Sequence, residues 1–232
     1  MRPAVTFPDR AMALIDFWFG PPGDPQREEH REIWFRATDE FDAALRREFL
    51  ADYEAAASGA LRSWEASPEG ALALVLLLDQ VPRNIFRGTP RAYATDAAAV
   101  AVADRAIARG FDQLVPPAWR LFFYMPFHHS EAIDDQRRSV ALVNSLPRDR
   151  DRSGGARRYG VPYLEVIARF GRFPHRNEIL GRQSTPEEIA FLAERESLLA
   201  RAAREAEQSC RRSDGPALHE QGCDHEDKDA RE

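Results

Sequence analysis

Eight consecutive apolar residues, Ala71 to Leu78, constrain the fold of this chain more than any other feature. Ser67-Pro68-Glu69 in front of them is a helix start: a serine N-cap, a proline in the first turn and an acid near the positive end of the dipole. A helix that is apolar on every side has no solvent face, so the run predicts a central helix buried by others. Pro82 is expected to break it, because proline has no N–H to give to the preceding turn. The run is also the longest apolar one, far short of the ~20 residues that span a bilayer, so no membrane segment is expected.

The rest of the chain supplies the neighbours. Ala11, Leu14, Ile15 and Trp18 share one helix face, which Gly20-Pro21-Pro22-Gly23 closes. Trp34, Phe41, Leu45, Phe49 and Tyr53 mark a second stripe that ends near Gly59. Thr95-Asp96 opens an Ala-rich helix stopped by Gly110, and Pro116-Pro117 opens an aromatic one that Pro126 must kink or end. Ser130 is expected to cap a helix reaching about Leu146, a further helix ends near Phe170, and Thr185 with Glu188 forms a capping box. No alternating Val/Ile/Thr-rich run bounded by a hairpin turn occurs. These signals predict one all-α domain over residues 1–201, an array of about seven to nine mostly antiparallel helices. From residue 202 the periodicity decays, and the polar stretch to 232 is expected to be a disordered charged tail.

Composition narrows function by exclusion. A net charge of −6 and a pI of about 5.6 argue against a nucleic-acid partner. The N-terminal residues lack an apolar h-region, so a cytoplasmic location is expected. Both cysteines, Cys210 and Cys223, fall near the C-terminal end, which leaves the domain without a disulfide framework. The only lysine, Lys228, lies in the tail and removes Schiff-base chemistry from the domain. No nucleophile elbow, phosphate loop or H-E-x-x-H zinc helix is present. Cys210, His219, Cys223 and His225 match no zinc-finger spacing, and no metal site is assigned.

Three polar clusters adjoin strongly apolar stretches. Asp79-Gln80-Val81-Pro82-Arg83-Asn84 follows the central run, and an ionised aspartate there must be exposed, paired or hydrogen-bonded. Phe127-His128-His129-Ser130-Glu131 offers a histidine–carboxylate pair for proton transfer, or a helix cap and an acid on its dipole. Arg169-Phe170-Gly171-Arg172-Phe173-Pro174-His175-Arg176-Asn177, then Gly181-Arg182, places four arginines within fourteen residues. Their guanidinium forks suit a carboxylate or phosphate, and the aromatic residues between them would anchor a loop.

Together with Phe17-Trp18-Phe19-Gly20 and the extension Ile85-Phe86-Arg87-Gly88-Thr89, these segments resemble the bacterial family DUF924, in this order and over nearly everything but the tail. The resemblance implies an all-α fold similar to tetratricopeptide-like helical arrays, and no established reaction, substrate or cofactor. Val81 stands where family members usually carry phenylalanine, and Tyr163 where they usually carry histidine. The second departure argues against a multi-histidine metal site.

Two functional readings stay open at this point, with a third in which the clusters only cross-link helix ends. In the first, a pocket takes a small anionic ligand: Asp79, Gln80, Arg83, Asn84, Ser130, Arg169, Arg172, Arg176 and Asn177 bind it, and His129, Glu131 or His175 handles protons. In the second, a tetratricopeptide-like surface holds a peptide or protein partner. The cofactor, the oligomeric state and the occurrence of catalysis are left undetermined by the residues themselves.

Overall fold

The computed structural model describes residues 9–29, 31–34, 38–146 and 155–194. The boundary expected at residue 202, both cysteines, His219 and His225 lie outside these residues. The chain divides into two compact units, Met1–Ser184 and Thr185–Glu232. In the second, the capping box forms as expected over a helical stretch at 186–194: Thr185 Oγ1 accepts from the Glu188 N–H, and Glu188 Oε2 accepts from the Thr185 N–H.

The first unit is all-α, with no strand among the described residues. Its helices are α1 (Asp9–Phe19), α2 (Asp39–Ala57), α3 (Pro68–Val75), α4 (Val81–Ile85), α5 (Asp96–Ala108), α6 (Pro117–His129), α7 (Ile133–Asn144) and α8 (Gly155–Phe170). The apolar run behaves as its composition dictates. Every residue from Gly70 to Pro82 is buried, and α3 packs against α1, α5 and α6. Ser67 Oγ accepts from the Gly70 N–H and starts the helix. No helix among the described residues is long and apolar enough to cross a membrane.

Pro82 does not break the helix, contrary to the expectation from its missing N–H. A π-turn over Leu76–Gln80 joins α3 to α4, and the Val81 N–H reaches back five residues to Leu76 O. The carbonyl that Pro82 cannot serve, Leu78 O, accepts instead from the Thr95 hydroxyl at 2.6 Å. Ser130 is likewise not the cap of α7. Ala132 occupies that position, while Ser130 Oγ accepts from the Ala132 N–H and donates to Asp135 at 2.7 Å. Pro126 lies inside α6 without ending it.

The Phe17-Trp18-Phe19-Gly20 segment anchors the loop that follows α1. Phe19 stacks on Trp119 with ring centroids 4.5 Å apart. The indole N–H of Trp34 donates to Trp18 O, and that of Trp119 donates to Arg27 O, each at 2.8 Å. Gly20 turns the chain with φ of +102°, where a Cβ would also meet Asp24.

Gly70 has a different reason to be glycine. A Cβ there would lie 2.3 Å from the backbone oxygen of Trp64, a contact no side chain can yield to. Gly70→Ala is therefore expected to cost about 1–3 kcal/mol of stability, despite alanine's better helix propensity. Urea denaturation checks this; an unchanged or raised midpoint would show that the first turn of α3 moves freely.

Candidate functional site

The π-turn determines where Asp79 points. With one extra residue in the turn, Asp79 sits at zero exposure on the side of the helix that meets the end of α6. Its carboxylate is surrounded by donors. His129 Nδ1 lies 2.8 and 3.0 Å from the two oxygens, Gln80 Nε2 donates at 2.6 Å, and Arg83 pairs with it at 3.1 Å. Burial pushes the carboxyl toward the neutral form, but Arg83 and His129 outweigh burial and hold it well below the usual carboxylate range. An ionised carboxylate only accepts, so His129 Nδ1 carries the proton.

Burial, and then the charge of Arg83, push His129 below its ordinary value, against the pull of Asp79. In the neutral ring the Nε2 atom bears the lone pair, and it takes no hydrogen bond among the described residues. The neighbouring His128 is pushed down to about 3, first by burial and then by His129. Its ring lies against Tyr163, with centroids 4.1 Å apart. Tyr163 is thus a stacking partner of His128, the first residue of the histidine pair.

A second layer joins the three clusters. Arg83 reaches from Asp79 to Asp96 at 2.9 Å, and Arg176 donates to the same Asp96 oxygen, Oδ2, at 3.2 Å. Arg176 also donates to His129 O at 2.9 Å, and its guanidinium lies between the rings of Tyr93 and Phe173, 4.6 and 4.5 Å from their centroids. Glu131 accepts two hydrogen bonds from Arg182, at 2.7 and 3.0 Å, and one from the Phe173 N–H at 2.8 Å. Burial raises the Glu131 carboxyl, and these donors more than reverse it. Gln136 donates to the carbonyls of His128 and Ser130, each at 2.7 Å, which ties the end of α6 to α7.

A cleft of about 490 Å³ opens in front of this network, a volume suited to a small molecule. His129, Ser130, Glu131, Asp135, Asp96 and Arg176 form its polar side; Pro90, Tyr93, Ala94, Ala97, Val100 and Leu180 form the rest. The sequence-selected residues therefore separate into groups. His129, Ser130, Glu131 and Arg176 line the cleft, with Asp79, Gln80 and Arg83 directly behind His129. Asn84 turns to Asp42 on α2 at 2.7 Å, and Asn177 donates to Ser184 at 3.1 Å. Arg172 donates to Gln183 O at 2.8 Å, Arg169 lies over the ring of Phe170, and His175 is exposed beside Phe173; none of these three lines the cleft. Tyr93, Asp96 and Asp135 do line it and were missed. Thr95-Asp96 reads as a helix start, and only the unserved carbonyl left by Pro82 signals that Thr95 is needed elsewhere. Among the described residues, no group of three or more His, Cys, Asp or Glu side chains is placed to hold a metal ion.

A family model described as a bacterial protein of unknown function, DUF924, matches residues 14–196. A solved structure of a protein of unknown function from Agrobacterium tumefaciens superposes with a TM-score of 0.70 at 42% identity, covering 79% of this chain and 97% of that one. No curated protein matches the chain.

The depressed values of His128 and Asp79 set the direction of the acid response. In both cases the folded group has the lower pKa, so the unfolded chain binds protons first and stability falls as pH falls. For His128, with an ordinary value of 6.5 and a folded value of about 3, going from pH 7 to 4.5 is expected to cost about 2–3 kcal/mol. The Asp79 contribution is lost only below the usual carboxylate range. Urea titrations at both pH values test this, and the drop should shrink by about that amount in His128→Phe. An equal drop in that variant would place the acid sensitivity elsewhere.

Proposed function

We propose that this chain, which belongs to the DUF924 family, holds a small molecule in the cleft in front of His129 and that His129 accepts a proton from it. The observation that carries this reading is the hydrogen bond from His129 Nδ1 to the fully buried Asp79 carboxylate. A carboxylate on Nδ1 fixes the ring tautomer, presents the Nε2 lone pair, and stabilises the imidazolium that proton transfer creates. The π-turn that delivers Asp79 supports the reading too, since such turns are frequent at functional sites. His175 is too exposed and Glu131 too heavily bonded to Arg182 for the same task.

Arg176 gives limited support to an anionic ligand, because both terminal nitrogens are engaged, by Asp96 and by His129 O. A tetratricopeptide-like surface holding a peptide would present exposed anchors. Among the described residues of the first unit the exposed large apolar side chain is Leu114 alone, and it does not line the cleft. The small-molecule reading is preferred, in a protein working in the cytoplasm.

Thermal unfolding against a panel of alcohols, sugars, nucleotides, amines and organic acids tests it. A ligand at 100 times its Kd adds about 2.7 kcal/mol, or roughly 5–10 °C for a chain of this size. The shift should vanish in His129→Gln and in Ala97→Trp, which fills the cleft from its apolar wall. A shift that survives both substitutions would move the binding site elsewhere.

A further inference from the structure

The charged groups around the cleft largely satisfy one another. Arg83 and Arg176 stand against Asp79 and Asp96, and Arg182 stands against Glu131. One carboxylate of the lining, Asp135, is left over; it accepts from the Ser130 hydroxyl and pairs with no cation among the described residues. An anion entering here would meet that surplus negative charge, while both terminal nitrogens of Arg176 are already engaged and its unpartnered Nε is buried. What the polar end offers is acceptors: His129 Nε2 and the Asp135 carboxylate. Opposite them, Ala97, Val100 and Leu180 offer only apolar surface.

The chain also withholds a nucleophile. The Ser130 proton is given to Asp135 rather than to His129, and the Thr95 hydroxyl is given to Leu78 O. The X–H group that His129 is placed to meet therefore belongs to the ligand. A primary ammonium would gain from Asp135 but face Arg176, and it would shed a tighter hydration shell than a hydroxyl does.

Resting on the reading of this cleft as a small-molecule site, we propose that its ligand is an uncharged alcohol, with its hydroxyl on His129 Nε2 and an apolar body along Val100 and Leu180. The test compares three probes with the same six-carbon body: hexan-1-ol, hexanoate and hexylammonium. Each is titrated into the full chain carrying 15N-labelled histidine, and the imidazole resonance lost in His129→Gln is followed by NMR. Hexan-1-ol is expected to move that resonance saturably, with at least tenfold higher affinity than either charged probe. The shift should be lost in Val100→Trp, a variant that leaves the histidine in place and whose folding the remaining resonances report. Tighter binding of hexanoate or hexylammonium, with the same resonance moving, would overturn the alcohol assignment and leave the small-molecule reading standing. If no probe moves the resonance, the alcohol assignment falls, and the small-molecule reading is decided by the thermal-unfolding panel.

Discussion

Asp79 keeps its carboxylate entirely out of water, within the most apolar stretch of the chain. Burying an ion costs several kcal/mol unless protein donors replace the lost solvent, and removing one partner exposes that cost in full. Here the donors come from three places: the adjacent Gln80, Arg83 one turn on, and His129 fifty residues away. Meeting the needs of one oxygen pair thereby fixes the end of α6. It also places two more charges, because Arg83 extends to Asp96 and Asp96 in turn receives Arg176. The polar side of the cleft is the outer layer of this arrangement.

Proline at position 82 is the second constraint, and it acts through the backbone. Its missing N–H leaves Leu78 O to be served by Thr95, which pins the start of α5 against the central helix. The wider π-turn keeps the chain helical across the same stretch, and it rotates Asp79 onto the α6 side. Two local irregularities thus cooperate: one aims the carboxylate, and the other holds the element that carries Asp96.

The helices were legible because their signals are local. The Ala11–Trp18 stripe, the Ser67 cap, Gly110 and the Thr185 capping box each work through residues three or four apart, and each forms as written. The clusters around Asp79, His129 and Arg176 were legible as polar exceptions to an apolar pattern, which is why they stand out. Their pairing was not, since nothing in a single chain says that Asn84 faces Asp42 while Arg83, one residue earlier, faces Asp96. The π-turn was also hidden: its residues, Leu76 to Gln80, have ordinary helical preferences, and only tertiary packing selects the wider turn. Tyr93 and Asp96 escaped notice because each has a sufficient local explanation as a turn residue or a helix start.

The span of the Asp96–Arg176 contact carries a kinetic consequence. The two partners are eighty residues apart, and Asp79–His129 and Glu131–Arg182 each bridge about fifty. Closing loops of that length costs more chain entropy than forming a local helix, so contacts of this span slow folding. A chain still being synthesised has α3 to α6 available before Arg176 and Arg182 exist. Until they emerge, Asp96 has Arg83 alone, Glu131 lacks Arg182, and the wall that Arg176 and Leu180 give to the cleft is missing. The finished cleft thereby requires residues from Pro90 to Leu180 to be in place together.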